Sequence, residues 1–131
     1  MRILDTDTCI EILRGSRTVL ERRAAVLDDV VTTWVSAAEL YFGAALSTAP
    51  EGNRAVVEEF LRSTPVVDMD SRAARIFGET KALLQRKGEK VPDADLFIGA
   101  IALAHGATLI TGNSRHFARI PGLTCEDWIR P

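Results

Sequence analysis

Asp5, Asp7, Glu39, Asp68, Asp70, Asp93, Asp95 and the neutral Asn113 are the side chains of this sequence best placed to do chemistry together. They offer hard oxygen donors with no His or Cys among them, a set that suits Mg²⁺ or Mn²⁺ rather than zinc. Ions of that kind lower the pKa of a bound water and stabilise charge on a leaving oxygen, as phosphodiester cleavage requires. The spacing carries the argument. If Asp5, Glu39 and Asp95 converge, each carboxylate pair costs about 4 kcal/mol at contact for an effective dielectric of about 20. A fold tolerates that only by protonating one group or by binding cations.

The elements that must bring these residues together can be read from periodicity. Arg2-Ile3-Leu4 predicts a short buried strand running into Asp5, and Thr8 to Arg14 a helix stopped by Gly15. Ser16 to Leu27 has helical spacing, while Val30 to Val35, rich in β-branched residues, predicts a second strand. Helices are expected from Ser36, from Pro50, from Asp70 or Ser71 to about Lys87, and from Pro92-Asp93 through the apolar run Leu96 to Ala104. Pro65-Val66-Val67, Thr108 to Thr111 and Leu123 to Cys125 complete the strands. Alternating strands and helices with no repeat or linker predict one α/β domain over residues 1–131, with a parallel sheet covered on both faces.

In such sheets ligands bind where strands end and turn into helices, and nearly every turn of this chain carries an acid or an amide. Each has a structural explanation. Ser36-Ala37-Ala38-Glu39 is also a capping box, Asp93 and Asp70 are good N-caps, and Asp95 sits where a helix dipole favours an anion. Asp5 differs, because it ends a buried strand with no helix to cap directly. Two groups of basic residues, Arg14, Arg17, Arg22 and Arg23, and Lys81, Arg86, Lys87 and Lys90, either grip phosphates or form solvated helix faces. No aromatic residues interleave with them as a stacking platform would require. His105 and His116 read as structural or surface residues.

Composition bounds the rest. A net charge of −2 provides no global basic field for nucleic acid, which leaves room for a nuclease whose carboxylates hold cations. The two cysteines, Cys9 and Cys125, read as ordinary thiols rather than a disulfide framework. The N-terminus lacks the form of a signal peptide and the longest apolar run is too short to span a membrane, so a cytoplasmic protein is expected.

Four segments, Ile3-Leu4-Asp5-Thr6-Asp7, Val35-Ser36-Ala37-Ala38-Glu39-Leu40, Asp93-Ala94-Asp95-Leu96-Phe97-Ile98-Gly99-Ala100 and Leu109-Ile110-Thr111-Gly112-Asn113, follow the order found in PIN domains. More narrowly the chain resembles the VapC toxins of VapBC toxin–antitoxin modules. Arg115-His116-Phe117, Ile120-Pro121-Gly122-Leu123 and Trp128 fit that branch, and the resemblance spans the whole chain.

The resemblance implies a three-layer α/β/α sandwich with a central parallel sheet and an acidic pocket. It matches Asp5, Glu39 and Asp95 to the family's metal-binding carboxylates, with Mg²⁺ or Mn²⁺ as cofactor. Asn113 falls where many members carry a fourth acid, and Thr111 matches a hydroxyl residue beside the pocket. Asp95 is assigned as the ligand and Asp93 as the cap. The neutral Asn113 implies a weaker second ion, and Asp7 either substitutes in part for the missing acid or caps a helix. Members of the branch cleave RNA, pair with a VapB antitoxin that supplies most operator-DNA contacts, and form homodimers. A metal-dependent endoribonuclease toxin is therefore expected. The alternatives are a PIN nuclease of RNA processing and a silent PIN-like binding module. A haloacid-dehalogenase-like phosphatase would share Asp5-Thr6-Asp7, but no lysine follows Thr111.

Overall fold

The computed structural model describes residues 1–131. Strands β1 (Arg2–Leu4), β2 (Val30–Thr33), β3 (Val66–Val67), β4 (Thr108–Ile110) and β5 (Thr124–Glu126) form one sheet in the order β3-β2-β1-β4-β5. Every pairing is parallel, and β1 lies at the centre with Ile3 opposite Val31 on one side and Leu109 on the other. The helices are α1 (Thr6–Leu13), α2 (Arg17–Ala25), α3 (Trp34–Leu46), α4 (Pro50–Ser63), α5 (Ser71–Arg86), α6 (Asp93–Ala104) and the single turn α7 (Ser114–Phe117).

Side-chain alternation along the strands builds three layers. Ile3, Val31 and Leu109 face a core shared with Ala73 and Leu84 of α5, Leu96, Ile98 and Ile101 of α6, and Phe117. Leu4 and Ile110, one residue on, face a second core with Cys9 of α1, Val19 of α2, Leu40 of α3, Val57 and Phe60 of α4, and Trp128. Both faces of the central strands are therefore dry, and Ile3, Leu4, Leu109 and Ile110 are fully buried. Each such side chain contributes about 1.5–3 kcal/mol by leaving water. The expected three-layer α/β/α sandwich is what forms.

Helix ends follow local chemistry. Asp70 caps α5 through its carboxylate on the Ala73 N–H at 2.8 Å. At the far end of α6, Gly106 takes φ +60°, and the Ala107 and Gly106 N–H groups bond back to the carbonyls of Ala102 and Leu103. That left-handed glycine stops the apolar helix and releases the chain into β4.

Four local expectations are corrected. The strand expected from Val30 to Val35 ends at Thr33, because the Thr33 hydroxyl accepts the Ser36 N–H at 3.2 Å and starts α3 at Trp34. Trp34 then packs against Phe97 of α6, ring centroids 5.8 Å apart. Ser36 consequently lies inside the helix, no capping box forms, and Glu39 is left for other work. Pro92, not Asp93, occupies the cap position of α6; Asp93 is in the first turn and pairs with Lys81 at 2.9 Å. Asp5 does cap a helix: α1 begins at Thr6, whose N–H donates to Asp5 Oδ1 at 2.8 Å.

Candidate active site

Asp5 stands where the central strand ends, between the ends of its two parallel neighbours. Its backbone N–H continues the sheet by bonding to the Ile110 carbonyl at 2.8 Å. Its side chain is held from two directions, by the Thr6 N–H on Oδ1 and by the Thr111 hydroxyl on Oδ2, also at 2.8 Å. Thr111 is fully buried and its oxygen accepts the Asn113 N–H at 3.0 Å, so the loop after β4 is tied to the carboxylate of β1. With 7% of its surface exposed, Asp5 has little freedom to reorient.

Glu39 comes from α3, one turn past the helix start. Its Oε1 accepts the Thr6 hydroxyl at 2.6 Å, and that hydroxyl lies 2.9 Å from the Ser36 hydroxyl. The residue after Asp5 thus steadies the carboxylate contributed by the neighbouring element. Asp95 comes from the first turn of α6, where the helix dipole favours an anion. Its Oδ2 lies 3.0 Å from His116 Nδ1, and the same ring nitrogen is 3.1 Å from the Asn113 side-chain amide. Asn113 itself is exposed and makes no side-chain cap for α7.

The electrostatics are those of crowded acids. Burial, then the negative charge of Asp7, pushes the Asp5 carboxyl up to about 7, with Asp95 adding to the effect. Burial also raises Asp95; Glu39 and Asp7 push the same way, and the His116 ring opposes them. No Lys or Arg forms an ion pair with Asp5, Asp7, Glu39 or Asp95. This donor set fits a divalent cation, which would relieve the repulsion that no basic residue relieves. As placed, no three His, Cys, Asp or Glu side chains form a closed ligand group. A Mg²⁺ ion, which keeps several waters, would need only one or two of these carboxylates.

The remaining acids lie around this centre in other roles. Asp7 accepts the Gly112 N–H on Oδ2 at 2.9 Å and the Thr8 hydroxyl on Oδ1 at 3.1 Å, so it braces α1 against the loop after β4. Asp93 is exposed beside Lys81, and Asp70 is committed to α5. Among the basic residues, Arg22 donates to the Asp127 carbonyl and Arg23 to Thr64, while Arg14 and Arg17 pair with Glu11 and Glu21. That first group is largely occupied by the fold. In the second, Lys81 and Lys90 line a pocket of about 600 Å³ beside the start of α6.

The PIN-domain profile matches residues 2–123, covering all four acidic segments. The tRNA(fMet)-specific endonuclease VapC of Salmonella typhimurium is 39% identical over 127 residues, 96% of each chain. This chain belongs to the PIN-domain family, in its VapC branch. The ribonuclease VapC2 of Haemophilus influenzae is 34% identical to this PIN domain over 128 residues, 97% of each chain. Among solved structures, the DNA-bound VapBC of Salmonella typhimurium superposes with a TM-score of 0.92 at 38% identity, covering 97% of each chain. VapBC2 of Rickettsia felis, bound to a promoter DNA fragment, also gives 0.92, at 27% identity and 97% and 98% coverage.

Sequence reasoning about this PIN domain missed His116 and the two hydroxyls around Glu39. A signal for His116 was present: it lies three residues after Asn113, one helical turn on, and next to an apolar Phe117 able to anchor that turn. Phe117 is fully buried, which holds the imidazole over the Asp95 carboxylate.

Proposed function

We propose that this PIN domain is an endoribonuclease that hydrolyses RNA phosphodiester bonds with Mg²⁺ or Mn²⁺, acting as the toxin of a VapBC-type pair. The observation that supports this reading is that Asp95 raises the carboxyl of Asp5 and is itself raised by Glu39, three acids from three elements with no Lys or Arg ion-pair partner. Relatives named as VapC ribonucleases over nearly the full length supply the substrate class.

Asp5 and Asp95 would hold the principal ion, with Glu39 helping to fix a second ion or a water. When bound, the ion supplies Lewis acidity that favours hydroxide over water and stabilises the departing 3′ oxygen. The chain's own part is positioning. Thr111 and the Thr6 N–H fix the orientation of the Asp5 carboxylate, so its lone pairs do not have to be reorganised during turnover. The Thr6 hydroxyl does the same for Glu39. Asn113 contributes a neutral amide at the rim, and Lys90 offers charge for RNA phosphates beside α6, where Lys81 is shared with Asp93.

The partner side of the proposal is a VapB-type antitoxin, a homodimeric toxin, and operator DNA reached through the antitoxin, in a cytoplasmic setting. Phe42, Leu46 and Val56 are 67%, 75% and 50% exposed on α3 and α4, an apolar surface available to a protein partner. No helix is long and apolar enough to cross a membrane.

Purified chain incubated with mixed cellular RNA and Mg²⁺ or Mn²⁺ is expected to give discrete fragments. EDTA should abolish them, and Asp5→Asn and Asp95→Asn should each slow cleavage more than about a hundredfold, beyond the usual effect of losing a group that merely orients a ligand. Cleavage that persists in EDTA, or in both variants, overturns the metallonuclease reading.

A further inference from the structure

His116 is the one imidazole within reach of the acidic residues, and nothing in the proposed chemistry has used it. The other histidine, His105, is exposed at the opposite end of α6, at its C-cap. His116 projects from α7, a turn anchored by the buried Phe117, and its side chain keeps 29% of its surface exposed. Its Nδ1 is the atom that points at the site, 3.0 Å from Asp95 Oδ2.

Two contacts compete for that nitrogen. A protonated Nδ1 donates to Asp95, and an unprotonated one accepts from the Asn113 amide at 3.1 Å. A single tautomer cannot satisfy both with the amide as placed. The nitrogen therefore stays beside the Asp95 carboxylate whichever of the two contacts it makes. Two donors of one octahedral ion, each about 2.1 Å from it, lie about 3.0 Å apart across a right angle. The Asp95–His116 contact, a direct hydrogen-bond distance without the ion, leaves the two donor atoms at a separation that one ion could bridge without moving either residue.

Resting on the metallonuclease reading above, we propose that His116 is a ligand to the cation held by Asp95, occupying the fourth-donor place that the neutral Asn113 leaves weak. A nitrogen donor in a set otherwise made of oxygens shifts preference toward Mn²⁺ and later transition ions and away from Mg²⁺. His116 is therefore a residue that selects the metal.

The test uses untagged full chain loaded with Mn²⁺ and read by pulsed electron paramagnetic resonance, which detects a directly bound imidazole nitrogen. Nitrogen coupling is expected in the wild type and in His105→Gln, and its loss in His116→Gln. Mn²⁺ affinity should fall about tenfold or more in His116→Gln. His116→Glu should restore binding without the nitrogen signal and should narrow the preference for Mn²⁺ over Mg²⁺. Melting each variant in EDTA shows that it is folded. Mn²⁺ bound in a manner sensitive to Asp5→Asn and Asp95→Asn, but with no nitrogen coupling, overturns the role of His116 and leaves the metal site standing. No Mn²⁺ binding at all overturns both.

Discussion

In EDTA at pH 8, the Asp5→Asn protein should melt at a higher temperature than the wild type, although the proposed chemistry expects it to lose activity. The Asp5 carboxyl ordinarily titrates near 3.8 and is raised to about 7 in the fold. The folded state therefore holds that proton more tightly than the unfolded chain. Between roughly pH 4 and pH 7 the native state binds more protons, so stability falls as pH rises through this window. Above pH 7 the full cost is present, at most about 4 kcal/mol for a shift of roughly three units. Asparagine removes the charge but keeps an acceptor for the Thr6 N–H, and the Thr111 hydroxyl can rotate to accept from its amide. A gain of about 15 °C is the upper limit for a domain of this size. The difference should shrink toward pH 5. Saturating Mg²⁺ should raise the wild type and leave Asp5→Asn unmoved. Scanning calorimetry at pH 5 and pH 8, in EDTA and in Mg²⁺, makes the check; a variant melting at or below the wild type in EDTA at pH 8 refutes it.

Trp128→Ala should be among the most destabilising single changes in the chain, by about 3–5 kcal/mol. Trp128 is fully buried although it lies three residues from the C-terminus. Its ring fills the core bounded by Leu4, Cys9, Val19, Leu40 and Ile110, the layer that presses α1 and α3 onto the sheet. Its indole N–H donates to Glu126 Oε1 at 2.7 Å, while Glu126 Oε2 takes Arg2 at 2.5 Å. Trp128→Phe keeps most of the volume and loses only the N–H bond, so it should cost less than half as much. Small domains have only about 5–15 kcal/mol in total, which makes the alanine variant marginal. Urea unfolding of both variants separates the cavity from the hydrogen bond. Equal losses would place the energy in the Glu126 contact instead.

The legible part of this fold was the part written in periodicity. The strands around Ile3, Val31, Val66 and Leu109 and the helices after them follow from apolar spacing and from Gly15, Gly88 and Gly106. Ends decided by side-chain capping were harder to read. The Val30 to Val35 run has strand composition throughout, but the Thr33 hydroxyl diverts it into a helix that starts at Trp34, two residues before Ser36. Asp93 has cap chemistry, yet Pro92 takes the position and Asp93 turns to Lys81. At the site, the acids were visible because they fall where strands end. Their supports were not, since Thr6 meets Glu39 across 33 residues and His116 meets Asp95 across the start of a different helix. Contacts of that kind depend on how elements pack, and no local pattern encodes them.

The bond between Thr111 and Asp5 spans 106 residues, nearly the length of the chain. During synthesis at about 5–20 residues per second, Asp5 waits roughly 5–20 s for the strand that will orient it. Until then β1 lacks one of its two neighbours, and the carboxylate has neither its hydroxyl anchor nor the loop behind it. A ribosome making this protein is thus in the presence of an unfinished site for almost the whole of elongation. The order of the strands, with the first in the middle and its second partner more than a hundred residues later, makes the arrival of β4 and Thr111 the event that fixes the Asp5 carboxylate.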